Sequence, residues 1–312
     1  MILLITGLGG SAARLMVDHY ASSAGDPTIG LRGIARSEQY VNTQKNIQVI
    51  TCDLNDAFAT ARTIRSLRPT AILHLAANAD VRASWDQPGA LLHNNIQSSI
   101  NLLEAIRYES PKTKLVVCST SEVYGNTNSS DPIKEDAPIN PVNPYAVSKT
   151  TQEMLARVYG KAYGIPVIVT RMFGYINPIR TNLFVSSFAK QIALIEKGGQ
   201  GTLWHGNLKS KRTLLDHRDM CSAYAHAVRL EKPGTFNIGS TNPVSVGEVL
   251  YRLKELSTVN IKTEEDPRLM RPVDIAVQTP DTSKFTEETG WAPTIPLQDS
   301  LVFVLNYWRA QT

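Results

Sequence analysis

Short unbroken apolar runs alternate along the first half of the chain with longer stretches whose apolar positions fall three and four residues apart. Runs of the first kind suit strands buried on both faces, whereas the second spacing lays one apolar stripe along a helix. By this rule residues 1–6, 28–35, 47–52, 70–75, 115–118 and 167–170 are strands. The stretch after residue 13 and residues 56–67, 91–108 and 145–163 are the helices between them, with Pro69 closing the second. Strand alternating with helix calls for an α/β fold: a doubly wound parallel sheet with right-handed crossovers and helices on both faces. Ligands of such a sheet sit at the carboxyl ends of its strands.

Beyond Gly174 the pattern loosens. Residues 183–197, 245–256 and 297–308 have helical spacing, residues 202–205 and 235–238 are short strand-like pieces, and a glycine-rich turn covers 198–201. This divides the chain into a nucleotide-binding domain over 1–173 and a smaller α/β C-terminal substrate lobe over 174–312, with the chain crossing back between them. The polar loop 126–143, rich in Asn, Ser, Asp and Pro, is a candidate lid.

The first strand breaks at Gly7-Leu8-Gly9-Gly10-Ser11-Ala12-Ala13 before a helical stretch. In a strand, glycine turn and helix, Gly7 permits the tight turn and Gly10 lets backbone N–H groups approach a pyrophosphate. Ala13 keeps helix and strand close, and the helix N-terminus favours an anion. These are the features of a Rossmann dinucleotide site. A carboxylate after the second strand would accept from a ribose 2′-hydroxyl; here Arg36-Ser37 follows, and a guanidinium suits a 2′-phosphate. Arg36 therefore favours NADP(H) and leaves NAD(H) as the alternative.

Tyr145 and Lys149 stand four apart at the start of the helix that opens Pro144-Tyr145-Ala146-Val147-Ser148-Lys149, so they share one face. An ammonium close to a phenol favours the phenolate and makes tyrosine usable as an acid or base. Tyr108 and Lys112 have the same spacing, but Pro111 interrupts them.

At 312 residues with 42% hydrophobic content the chain can bury a large core. A net charge of +4, from 32 basic and 28 acidic residues, includes no basic tract of the kind nucleic acid or membrane binding uses. Cys52, Cys118 and Cys221 lack metal-ligand spacing and are expected to be buried free thiols in a cytoplasmic protein. The six histidines show no HExxH motif, no metal is expected, and no apolar run is long enough to span a bilayer.

With the glycine turn and Arg36, the segment Ser119-Thr120-Ser121-Glu122-Val123-Tyr124-Gly125 and the Tyr145/Lys149 pair make the chain resemble, nearly end to end, the extended short-chain dehydrogenase/reductase family of nucleotide-sugar enzymes. Asp53 and Leu54 look like that family's adenine-side contact, and His74-Leu75-Ala76-Ala77 like its strand end beside the cofactor. Gly206-Asn207-Leu208-Lys209-Ser210-Lys211-Arg212, Arg271-Pro272-Val273-Asp274 and Glu288-Thr289-Gly290-Trp291 are similar to the branch of GDP-mannose 4,6-dehydratases and GDP-4-keto-6-deoxymannose reductases. The resemblance implies a GDP-sugar substrate held by Ser84, Ser121, Asn207, Lys211, Arg212, Arg271 and Asp274, and a homodimer built on the helices at 91–108 and 145–163. Arg212 and Arg271 can each make bidentate bonds to a diphosphate.

By the same resemblance the catalytic set is Thr120, Glu122, Tyr145 and Lys149. In a dehydratase Tyr145 takes the 4-hydroxyl proton, Thr120 hydrogen-bonds that oxygen, Lys149 binds the nicotinamide ribose, and Glu122 removes the C5 proton and protonates the leaving 6-hydroxyl. In a reductase Tyr145 protonates a C4 alkoxide and Glu122 has no elimination to perform. Gly174-Tyr175 stands where the branch has Asn-His, only Arg180 remains of two adjacent arginines after Pro178, and the ending from Ile295 to Arg309 is closer to the reductase. A non-catalytic NADP-sensing protein is a third, more distant reading.

Overall fold

The computed structural model describes residues 1–22, 26, 28–37, 47–127, 131–199, 201–270, 273 and 275–312. The first half alternates as expected: β1 (Ile2–Thr6), α1 (Ser11–Ala21), β2 (Gly30–Ala35), β3 (Gln48–Thr51), α2 (Ala57–Leu67), β4 (Ala71–His74), the single turn α3 (Ala83–Asp86), α4 (Pro88–Glu109), β5 (Lys114–Thr120), α5 (Pro144–Tyr163) and β6 (Val167–Met172). The second half adds β7 (Tyr175–Ile176), α6 (Phe184–Glu196), β8 (Thr202–His205), β9 (Lys211–Thr213), β10 (Leu215–Asp216), α7 (His217–Arg229), β11 (Gly234–Ile238), β12 (Pro243–Ser245), α8 (Val246–Glu255), β13 (Lys262–Glu265), α9 (Ser283–Thr289) and α10 (Leu297–Gln311).

Among the described residues seven strands form one sheet in the order β11-β6-β5-β4-β1-β2-β3, and every pairing in it is parallel. This is the doubly wound Rossmann arrangement, with the strand order reversing at β1 and β4. Alternation along each strand sends side chains to two separate cores. Leu3, Ile5, Leu73 and Val116 pack with α1, α7 and α9, whereas Leu4, Ile72, Leu115 and Val117 pack with α2, α4 and α5. A strand covered by helices on both faces must be apolar at every position, which is why these runs are unbroken.

α4 starts at Pro88, ahead of the first apolar position at Leu91, because proline fits the first turn of a helix. α5 also begins on proline, after Asn143, whose Oδ1 accepts from Ala146 N at 2.7 Å, and ends at Gly164 in the left-handed conformation. A third core joins α6, α8 and α10 over β8 through Phe188, Ile192, Leu203, Leu250, Leu253, Leu301 and Leu305. β11 lies between these later elements in sequence but pairs with β6 in the large sheet, so the chain returns to the first layer.

Candidate active site

The carboxyl ends of β1, β4, β5 and β6 open into a cleft of about 1140 Å3 that runs from the glycine turn to Arg212 and Gln278. At its cofactor end Gly7 has φ 80° and packs so closely on the segment after β4 that a Cβ there would stand 2.8 Å from Ala76 Cα. Gly10 N donates to Gly7 O at 2.8 Å, and no side chain caps α1, so its first-turn N–H groups suit a diphosphate. Gly7, Gly10, Ala13, Arg36, Leu75 and Ala77 all line the cleft, with Arg36 Nη1 at 3.4 Å from Asn94 Oδ1. The cradle therefore fits a nicotinamide dinucleotide.

At the other end, β5 finishes on Thr120 and the chain turns into a short 3-10 helix, Ser121–Tyr124, with Glu122 N donating to Thr120 Oγ1 at 3.3 Å. Thr120, Ser121, Glu122, Tyr145 and Lys149 face the same cleft. Asn143 ties these pieces together. While its oxygen caps α5, its Nδ2 donates to Glu122 Oε2 at 2.5 Å, so one side chain fixes both the helix carrying Tyr145 and the carboxylate beside it. Underneath, Glu153 of α5 and Arg171 of β6 form a buried ion pair, and Arg171 Nη1 donates to Tyr124 OH at 2.8 Å.

The electrostatics differ from what the Tyr145/Lys149 spacing suggests. Burial pushes the Tyr145 phenol well above its ordinary range, the Glu122 carboxylate adds to the rise, and the Thr120 hydroxyl and Arg180 act in the opposite direction. Lys149, brought down to about 8 by burial, directs its ammonium to Gln152 Oε1 at 2.9 Å. Arg180 is thus one cation that opposes the rise of the phenol. Four-residue spacing gives two side chains a common face; it does not fix where a flexible ammonium points.

The remaining expected positions scatter. Ala76 lies beneath Gly7 and donates its N–H to Thr6 Oγ1 at 3.1 Å, and Leu54 is buried with its carbonyl accepting from Asn101 Nδ2 at 2.8 Å. Asp53 Oδ1 accepts from Asn55 N at 3.0 Å in a local turn. None of these three lines the cleft. Ser84 is fully buried and its hydroxyl donates to Val81 O at 2.6 Å, so it serves the turn at α3. Arg212 reaches the cleft, with Nη1 donating to Ile275 O at 2.6 Å, whereas Lys211 is exposed and Asn207 Oδ1 accepts from Lys209 N at 2.9 Å, both away from the lining. Arg271 and Asp274 lie outside the described residues.

Several lining residues escaped the sequence reading. Asn177 Nδ2 bridges Ser11 Oγ at 2.8 Å and Tyr175 OH at 3.3 Å, linking the phosphate turn to the sugar end. Gln278 Nε2 donates to Ser121 O at 3.0 Å and Gly125 O at 2.9 Å. No motif marks these long-range partners; only the cap position of Asn143 ahead of Pro144 was a usable signal. Gly174 has a steric reason, since a Cβ there would lie 2.6 Å from Thr213 O. An asparagine at that position cannot coexist with this approach of Thr213. Among the described residues there is no cluster placed to hold a metal and no helix long and apolar enough to cross a membrane.

Comparison with known proteins places this geometry. The family described as GDP-mannose 4,6 dehydratase matches residues 20–302. GDP-6-deoxy-D-mannose reductase of Pseudomonas aeruginosa is 30% identical over 247 residues, covering 78% of this chain and 81% of its own. UDP-glucuronate 4-epimerase 3 of Arabidopsis thaliana is 28% identical over 331 residues, covering 96% and 74%. The structure of RMD from Pseudomonas aeruginosa complexed with NADPH superposes with a TM-score of 0.85 at 25% identity, over 100% of this chain and 99% of that one. The chain therefore belongs to the GDP-mannose 4,6 dehydratase family, within the extended short-chain dehydrogenases/reductases that modify nucleotide sugars.

Proposed function

We propose that the protein is an NADP-dependent 4,6-dehydratase acting on a GDP-hexose such as GDP-mannose. One observation carries this reading: the Glu122 carboxylate lines the same cleft as Thr120 and Tyr145, close enough to raise the phenol's proton affinity. Elimination across C5 and C6 needs a carboxylate there; some related reductases carry a glutamate in the corresponding segment too, where it has no elimination to perform. A bound nicotinamide supplies reversible hydride transfer, taking hydride from C4 and returning it to C6. With Lys149 and a nicotinamide cation beside it, the Tyr145 phenol would first give up its own proton to solvent and, as phenolate, take the proton of the sugar 4-hydroxyl, while Thr120 hydrogen-bonds the same oxygen. Once C4 is a ketone the C5 proton is acidic, and Glu122 removes it and delivers a proton to the departing 6-hydroxyl, which leaves as water. Lys149 holds the nicotinamide ribose, Arg36 holds the 2′-phosphate that separates NADP(H) from NAD(H), and Arg212 pairs with the sugar diphosphate.

A second reading, NADPH-dependent reduction of a GDP-4-keto-6-deoxy sugar, is favoured by the state of Tyr145. A phenol kept protonated by burial is ready to donate to a C4 alkoxide. Stoichiometry separates the two. With GDP-mannose and a trace of NADP+, the dehydratase yields a 4-keto-6-deoxy product and no accumulated NADPH, and Glu122→Gln lowers that yield by about a hundredfold or more. Failure to convert GDP-mannose, with NADPH consumed by the 4-keto sugar, establishes the reductase instead.

A further inference from the structure

Beneath Lys149 lies a buried chain of polar side chains whose direction is set where Gln152 meets the Asn95 carbonyl. Gln152, 1% exposed, places Nε2 at 2.8 Å from Asn95 O and 2.5 Å from Ser99 Oγ. A carbonyl oxygen only accepts, so the amide nitrogen must face α4 and Oε1 is left facing the Lys149 ammonium at 2.9 Å. Ser99 Oγ donates to Asn95 O at 3.0 Å, which spends its one proton. It then accepts from Gln152 and from His74 Nε2, 3.0 Å away. His74 Nδ1 is left as an acceptor for Thr6 Oγ1 at 2.9 Å, and that oxygen accepts in turn from Ala76 N at 3.1 Å. Burial and the nearby Lys149 charge keep the imidazole neutral, down to about 3, so it has one ring proton to place.

We propose that Gln152 is a positioning residue for Lys149: a neutral, oriented amide oxygen that holds one ammonium proton from below and turns the other two toward the cleft. The Asn95 carbonyl, which only accepts, keeps that amide from flipping, and Ser99 with His74 behind it packs against the same nitrogen. A carboxylate at this position would cancel the ammonium's charge, and an apolar side chain would leave a buried cation without an acceptor. The groups that bear on Lys149 from the packed elements are Cys118 on β5, His74 on β4 and Gln152 on α5; none of them supplies a negative charge at neutral pH. The inference rests on the reading of Lys149 as the residue that binds the nicotinamide ribose.

The test uses the full-length chain and NADP+ as the probe. Gln152→Leu is expected to weaken NADP+ binding about tenfold, while Gln152→Glu, which keeps an acceptor but sets a carboxylate beside the ammonium and an oxygen against Asn95 O, is expected to lower binding and turnover and to move the fall of NADP+ affinity with pH upward. In the unmutated chain, 15N spectra of His74 should show the proton on Nε2, and Gln152→Leu should perturb that ring. NADP+ affinity and turnover in Gln152→Leu equal to the parent's would overturn the proposal, as would a His74 ring left unperturbed by that substitution. A parent chain that binds no nicotinamide dinucleotide would overturn the reading of Lys149 instead, and the His74 spectrum reports on the network in either case.

Discussion

Tyr145 sits between opposed influences: burial and Glu122 hold its proton, while Thr120 and Arg180 loosen it. Lys149, proposed to hold the nicotinamide ribose, has a titration that gives a pH dependence with a definite sign. Burial lowers its affinity for a proton to about 8 from the ordinary 10.5. The cost of burying the ammonium is present in full below about 8. Between about 8 and 10.5 the unfolded chain keeps a proton that the folded chain has released, so stability rises with pH across that window. If Lys149 holds the ribose as proposed, cofactor binding moves the other way, since those contacts would use its charge. Calorimetric titration with NADP+ should show affinity falling as pH passes about 8, and Lys149→Met should remove that step; an unaltered step in the variant would contradict the assignment.

Asn143 permits a sharper separation of structure from chemistry. Asn143→Ser keeps a side chain able to cap α5 but loses the bond to Glu122. Its melting temperature should stay near the parent's while turnover falls about tenfold, whereas Asn143→Ala should cost about 1 kcal/mol of stability as well. Equal turnover in parent and Asn143→Ser would show that the Glu122 contact is only structural.

At the scale of elements, the glycine turn is where backbone conformation and binding meet. Gly7→Ala must place a Cβ at φ 80° and against Ala76 Cα, so β1 and the segment after β4 would have to part. Loss of NADP+ affinity by at least about tenfold is expected, measured by fluorescence titration, with a lower melting temperature; an unchanged affinity would detach the turn from the cofactor. This turn was legible because a chain reversal against a parallel strand admits little besides glycine. The apolar runs of β1, β4, β5 and β6 were legible for a related reason, being covered on both faces. α7 was not. Its buried face is made of Met220, Cys221, Ala223, Tyr224, Ala227 and Val228, and small residues between polar ones give too faint a stripe to stand out. β7, β9, β10 and β12 are two or three residues long and exist because of their partners, so no local pattern could announce them.

Across the whole molecule, the cleft takes its cofactor wall from the early strands and its far wall from residues such as Arg180, Arg212 and Gln278. Between Gly7 and Lys149 the motif residues Gly7, Gly10, Arg36, Thr120, Glu122, Tyr145 and Lys149 do come together in the cleft, whereas Asp53, Leu54, Ala76 and Ser84 do not. Of the far wall only Arg212, Tyr175 and Arg180 stood out in the sequence, since Asn177 and Gln278 meet the site only through tertiary packing, and Gly174 makes sense only once Thr213 is seen against it. The two walls together enclose Tyr145 and Glu122, and the central claim is that these two groups act in turn on one sugar. Its most direct test follows deuterium carried at C4 of GDP-mannose, with a trace of NADP+ and analysis of the product by mass spectrometry and NMR. The account predicts a 4-keto-6-deoxy product with the deuterium moved to C6; deuterium released into the cofactor pool, or no product from GDP-mannose at all, would contradict it.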